Sequence, residues 1–197
     1  MKIKSIEPIN ELKYLRSYKI KYKTKSGLER DWEIVSRGDS VRLEKEIFNH
    51  QSFTDGAMVF ATNKEKTDVV MLKEFRVSAG RHIYMFPAGL IESGENIKIA
   101  AKREFKEETG LLLNPMYVER ERYVSVGIIN ERVNVVYGTY SGIPTKAFQE
   151  DSEDADIIIV DKNEATRILE EEEISIRSAM LLQNFFKIHP FFDVETS

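Results

Sequence analysis

The sequence predicts an α/β (α+β) fold in which helices cover a mixed sheet, preceded by a small antiparallel β-ribbon. From about residue 54 onward, runs with strand periodicity alternate with runs of helical periodicity, which is the pattern of a layered α/β sandwich. One central helical run carries three glutamates on a single arc. The first 50 residues are charged and alternate with period two, the mark of a half-buried ribbon. We therefore expect a β-rich segment over 1–50 and a larger domain over 51–197.

In the ribbon, Tyr18, Ile20 and Tyr22 alternate with Lys19, Lys21 and Lys23, and Ser26-Gly27 reads as the turn into a second strand over 31–37. A two-stranded ribbon of this composition has too little apolar surface to stand alone, so it should pack on something else. The larger domain then offers strands at 57–62 and 68–75 joined by the polar turn 63–66, and a strand at 83–86. A helix should run from an Asn96 N-cap to a stop at Gly110. Residues 117–126 and 132–140 read as a strand pair, 157–160 as a strand, and 162–172 and 176–189 as closing helices.

Composition bounds the function classes. With 197 residues and 42% apolar content the chain can bury a proper core. A net charge of −4, with 29 basic and 33 acidic residues, leaves no basic stripe for a nucleic-acid backbone. The absence of cysteine removes disulfides and thiol chemistry. The sequence MKIKSIEPIN has no apolar signal region, and no apolar run approaches 18 residues, so we expect a cytoplasmic, unanchored protein. His50, His82 and His189 are scattered, with no metalloprotease spacing, and no serine-nucleophile elbow is present.

The central helix carries the chemistry. At about 100° per residue, Glu104, Glu107 and Glu108 fall within an arc of about 100°, on the same side as Ile97, Ala100 and Ala101, while Lys98, Lys102 and Lys106 lie opposite. A merely solvated helix would interleave its glutamates and lysines as i,i+4 pairs. Carboxylates on the protein-facing side repel one another and lose hydration, so they call for a cation. A hard divalent ion with oxygen ligands meets that need, keeping positions for water and phosphate oxygens.

The stretch from Gly89 to Leu111 fits G-x5-E-x7-R-E-U-x-E-E-x-G-U, U being bulky and apolar, at every defined position. An accidental match is on the order of 10⁻⁹ per start point. The stretch resembles the signature of the Nudix hydrolases, which implies an α/β/α sandwich and Mg²⁺-dependent cleavage of nucleoside diphosphates linked to another group, with Mn²⁺ as a substitute. Lys73-Glu74-Phe75-Arg76 and Phe86-Pro87-Ala88-Gly89 upstream of it resemble the ADP-ribose and nucleotide-sugar pyrophosphatase branch. By that resemblance Ala88 (through its carbonyl), Glu104 and Glu108 bind metal with Glu107 in support. Arg103 orients a carboxylate with Glu95 as partner, and Arg76 contacts the diphosphate. The segment 30–37, with Trp32, Glu33 and Arg37, resembles the adenine-reading strand: the ring of Trp32 stacks on the base and Glu33 accepts from its amine. Tyr14 falls where relatives place the second wall, supplied across a homodimer with exchanged N-terminal strands.

Downstream, this chain reads Ser125-Val126-Gly127 and then Glu131, where relatives that cleave ADP-ribose carry Ser-Pro-Gly and a glutamate four residues after the glycine. Glu131 is the candidate loop carboxylate that deprotonates the attacking water or binds a further metal, with Glu107 the base failing that; Glu107, Glu108 and Arg103 complete the catalytic set. The acidic run 150–156 reads as solvated surface, with Glu150, Glu153 or Asp154 as residues that could edge the site. The expected products are AMP and ribose 5-phosphate. GDP-mannose is the alternative substrate. A non-catalytic ADP-ribose sensor is the remote one, because such domains have a damaged signature and a DNA-binding module.

Overall fold

In a computed structural model of the chain, residues 2–151 and 153–188 are described. They form two compact units: residues 1–56 with 120–134, and 57–119 with 135–197. The segment 120–134, which the sequence places in the larger domain, thus groups with the N-terminal ribbon.

The first unit is built on three antiparallel strands, β1 (Lys2–Glu11), β2 (Arg16–Lys23) and β3 (Glu29–Ser36). Gly27 adopts the left-handed φ of 86° that the β2–β3 turn requires. Across that hairpin Lys19 faces Glu33 and Lys21 faces Asp31, pairings of opposite charge that favour this register. Sequence reading missed β1 and the helix α1 (Ser40–Phe48), whose N-cap Asp39 accepts from the Arg42 N–H at 2.8 Å. Tyr18, Ile20 and Leu43 are buried. These ribbon side chains are covered within the single chain, so instability of a bare ribbon is no argument for a partner subunit.

In the second unit, β4 (Gly56–Thr62) is buried along its whole length, and β5 (Val69–Arg76) pairs antiparallel with β6 (Arg81–Met85) and β11 (Ala155–Val160). Alternation sorts the core into two layers. Ala57, Val59, Ala61 and Val70 pack with Ala101 and Phe105 of α2 (Ile97–Thr109). Met58, Phe60, Val69 and Met71 pack with Ala165 and Ile168 of α3 (Lys162–Glu171), and with Leu182 and Phe186 of α4 (Ile176–Phe186). One sheet between α2 on one face and α3 with α4 on the other is the expected α/β/α sandwich. His189, expected to close the last helix, lies outside the described residues. Among those described, no helix is long and apolar enough to cross a membrane.

The single strand expected over 117–126 is two. These are β8 (Leu112–Val118), which pairs with the second half of β10 (Ile129–Ser141), and β9 (Arg122–Ser125), which pairs with its first half. The charged run Glu119-Arg120-Glu121 separates them. A bulge near Pro115, which has no N–H to give the ladder, shifts the β8 register. The short strand β7 (Ala88–Leu90), also unforeseen, lies immediately before the central helix.

Candidate active site

Helix α2 begins at Asn96, whose side chain accepts from the Ile99 N–H, and ends at Gly110 with φ of 71°. A side chain at Gly110 would meet Thr145 at 2.3 Å, so that glycine serves both the turn and the packing. Ala100, Ala101, Phe105 and Thr109 anchor the buried face. This rotation turns Glu104 and Glu108, one turn apart, toward β7. There a Cβ on Gly89 would lie 1.9 Å from Cδ of Glu104, and the Ala88 N–H donates to Glu108 Oε2 at 3.1 Å. The missing side chain of Gly89 is thus space that the Glu104 carboxylate fills.

Glu107 departs from the even three-carboxylate arc. Its side chain is 45% exposed, and Arg103 Nη1 donates to it at 3.1 Å. Arg103 also donates to Glu104 at 2.9 Å, to both oxygens of Glu95 at 3.1 and 2.9 Å, and to the Leu90 carbonyl at 3.1 Å. All five contacts use the planar fork of the guanidinium, which a lysine could not reproduce. Its pKa is raised, chiefly by the Glu95 hydrogen bond.

Glu104 and Glu108 remain electrostatically unhappy. Burial pushes the Glu108 carboxyl well above the usual carboxylate range, and the charges of Glu104, Glu153 and Glu74 push in the same direction. Glu104 is raised by burial despite Arg103, and Glu74 by burial despite Arg76. The field of Glu153 acts on all three. Glu74 on β5 was not foreseen as part of this cluster, and Glu153 was only one of three candidates for its edge. Among the described residues, no three carboxylate or imidazole side chains converge into a ready-made metal cage. The oxygen donors expected for a hard cation are Glu104 and Glu108 with the Ala88 carbonyl, which would leave positions for water and phosphate; the Ala88 N–H is bonded to Glu108 Oε2. Gln149 ties this region together, its amide donating to the Glu108 carbonyl at 2.7 Å and to the Ala155 carbonyl at 3.2 Å.

Arg76 belongs to the same neighbourhood, pairing with Glu74 at 3.1 Å and donating to Met85 Sδ at 3.1 and 3.2 Å. A thioether is a weak acceptor, so little holds that guanidinium against a phosphate. His82 faces Asp154 at 3.6 Å and meets Phe75 edge-on.

The remaining predicted residues lie in the first unit. Trp32, 48% exposed, lines a cavity of about 530 Å³ with Tyr22, Ile34, Glu46, His50 and Asn130 among its other walls. Glu33, its neighbour on β3, points to the opposite face by strand alternation, so this chain does not bring the Trp32 ring and the Glu33 carboxylate together on one side. Tyr14 is 72% exposed beneath Lys13. Glu131 is already engaged: Arg37 Nε donates to it at 2.5 Å. Glu46, His50 and Asn130 escaped sequence reading because only the tertiary fold gathers them around Trp32.

Residues 52–182 match the family profile of the NUDIX domain. The chain is 28% identical over 167 residues to the ADP-sugar pyrophosphatase of Mus musculus, covering 82% of this chain and 74% of that protein. It is 28% identical over 132 residues to the ADP-ribose pyrophosphatase of Bacillus subtilis, covering 66% and 69%. A match to a nudix hydrolase of Caenorhabditis elegans, 30% identical over 109 residues, spans 54% of this chain and only 45% of that one. A solved structure described as an ADP compounds hydrolase superposes with a TM-score of 0.70 over 92% of this chain and 91% of its own, at 17% identity, which establishes the fold.

Proposed function

The chain belongs to the NUDIX domain family, and from that premise we propose that it hydrolyses the diphosphate bond of ADP-ribose or a related ADP-sugar. ADP-ribose would yield AMP and ribose 5-phosphate. The observation that carries this reading is the inward pair Glu104 and Glu108, partly buried and mutually repelling, with Glu104 packed against the side-chain-free Gly89. Such a pair is costly without a cation. The names of the mouse and Bacillus relatives point to the same substrate class.

Glu104, Glu108 and the Ala88 carbonyl would hold Mg²⁺, or Mn²⁺ in its place. When bound, the ion supplies charge neutralisation of the diphosphate and acidifies water at the site. Arg76, whose present partners are one carboxylate and a thioether, turns its fork to the diphosphate oxygens. A carboxylate takes the proton of the attacking water as the new P–O bond forms and the bridging P–O bond breaks in line. We assign that role to Glu153, whose charge is felt by Glu74, Glu104 and Glu108. Glu131 is occupied by Arg37, and Glu107 by Arg103. Arg103 holds Glu104 in place. Trp32 offers its ring to the base; with Glu33 on the other strand face, the base edge is left to the polar wall of the Trp32 cavity.

A homodimer with exchanged N-terminal strands, residues 1–50 serving recognition and association, is part of this proposal. The exposed aromatics Tyr14 and Trp32 support it. A monomer in sedimentation would remove it. The test of activity is cation-dependent release of nucleoside monophosphate from ADP-ribose, ADP-glucose, GDP-mannose, NADH and diadenosine polyphosphates, with Glu108→Gln as the blank. Preference for ADP-ribose supports the reading and shows that Val126 is tolerated. Preference for the guanine sugar overturns the adenine assignment, and cleavage of none would mean that the fold has been kept for binding.

A further inference from the structure

The backbone that delivers Ala88 to the carboxylates is pinned at three successive residues. The Ala88 N–H donates to Glu108 Oε2 at 3.1 Å, and the Pro87 carbonyl accepts from the Val59 N–H at 2.8 Å. The third pin is not a strand neighbour. Strand β6 ends at Met85, and the next N–H, that of the buried Phe86, donates to Ser178 Oγ at 3.3 Å. Proline has no N–H, so the Phe86 N–H is the last backbone donor before Ala88 itself.

Ser178 is 1% exposed and sits in the first turn of α4. Its oxygen is held in place by the Ser175 hydroxyl, which donates to it at 2.8 Å, while Ser175 Oγ accepts the Ser178 N–H at 3.3 Å. Ser175 is itself anchored to β6: its N–H donates to the Tyr84 carbonyl at 3.1 Å, and the Tyr84 N–H donates to the Glu173 carbonyl at 2.8 Å. The segment between α3 and α4 therefore extends the β6 edge, and the hydroxyl of Ser178 replaces the ladder partner that Phe86 lacks. A buried hydroxyl on a helix is otherwise a poor choice for a core position.

We propose that Ser178 is a positioning residue for the cation site, fixing the orientation of the 86–88 backbone and through it the Ala88 carbonyl. This rests on the assignment of Ala88, Glu104 and Glu108 as the cation ligands. Ser178→Ala orphans the Phe86 N–H and frees the segment to rotate, whereas Ser178→Thr keeps an oxygen in reach. Ile168→Val, in the same core but away from this hydrogen bond, controls for loss of stability.

The experiment is direct Mn²⁺ titration of the full chain by calorimetry, with melting temperature measured on each variant. Ser178→Ala should weaken Mn²⁺ binding about tenfold, Ser178→Thr should recover it to within about threefold, and Ile168→Val should bind as wild type. Equal Mn²⁺ binding by wild type and Ser178→Ala, or an equal loss in Ile168→Val, overturns the proposal. Wild type that binds no Mn²⁺, or Glu108→Gln that binds as well as wild type, overturns instead the ligand assignment beneath it.

Discussion

The surroundings of α2 and the cavity beside Trp32 solve opposite electrostatic problems. Around α2, burial and the charges of Glu74, Glu104 and Glu153 all oppose ionisation of Glu108, and the one guanidinium on the helix is spent on Glu95, Glu104 and Glu107. Beside Trp32 the charges are settled. Arg42 pairs with Glu46 at 2.9 Å and with Asp55 at 2.7 Å, and the Asn130 amide donates to the remaining oxygen of Glu46. One region stores repulsion that a cation would relieve; the other offers a satisfied apolar wall with polar points. Removing a carboxylate charge from the first should alter rate and, without metal, raise stability. Changes to the second should alter binding alone.

The largest expected effect is that of Glu108→Gln, which should lower kcat by about a thousandfold or more while leaving the fold intact. The same change should raise the melting temperature of the metal-free protein. A carboxyl whose folded pKa is raised binds its proton more tightly in the native state than in the unfolded chain. Its contribution is therefore fully favourable below the unfolded value near 4.5, and stability is lost as pH rises from there through the folded value. Glu104 and Glu74 share that sign. The carboxylates held low by partners, Glu95, Glu164 and Asp156, act in the opposite sense at more acid pH. Melts in EDTA should show the wild type losing stability as pH rises above about 4.5 and Glu108→Gln losing less, each kcal/mol of removed repulsion being worth about 2–4 °C. A wild type and variant with parallel pH profiles would refute the stored repulsion.

Gly89→Ala comes next. A methyl group 1.9 Å from Cδ of Glu104 cannot be accommodated unless that carboxylate leaves, so activity should fall by about a hundredfold. Overpacking should cost about 1–3 kcal/mol in denaturant unfolding. Retention of full activity would mean that the position of Glu104 is not what the reaction needs.

How much of each region could be read in the sequence follows the same division. Glu104, Glu108 and Arg103 share one helix, so spacing alone places them, and the Asn96 and Gly110 boundaries were legible from cap chemistry. Glu74 and Glu153 come from β5 and from the loop before β11, and no periodicity links them to α2. Helix α1 did leave a trace, Asp39 followed by Leu43 and Ile47 at helical spacing, but nine residues give a weak signal beside a strongly alternating ribbon. Trp32 stood out as the only tryptophan. Its polar neighbours Glu46, His50 and Asn130 did not, because two separate segments, α1 with the residues after it and β10, supply them. Glu33 follows Trp32 directly on an exposed stretch of β3, where alternation separates the two side chains.

Trp32→Ala tests the second region. Loss of a base stack worth about 1–3 kcal/mol should raise KM by roughly 5- to 150-fold for an adenine substrate, with kcat nearly unchanged. If kcat falls and KM does not, Trp32 acts on the site's assembly and not on the base.

The smallest expected effect asks whether the α2 region depends on a tie that no spacing rule reveals. The Gln149 amide satisfies the Glu108 carbonyl, one of those left open at the end of the helix, and the Ala155 carbonyl at the start of β11. It thereby couples the last turn of α2 to the strand that follows the Glu153 loop. Gln149→Leu keeps the bulk and removes both donations, at a cost of about 1 kcal/mol in stability. If Glu153 takes the proton, the looser loop should lower kcat about three- to fivefold while KM stays within twofold, and the loss should be larger than that of a surface control such as Lys98→Ala. Gln149→Glu, which sets a carboxylate against two carbonyl oxygens, should lose more than Gln149→Leu. A Gln149→Leu enzyme with reduced stability and unchanged kcat would return the base to Glu131.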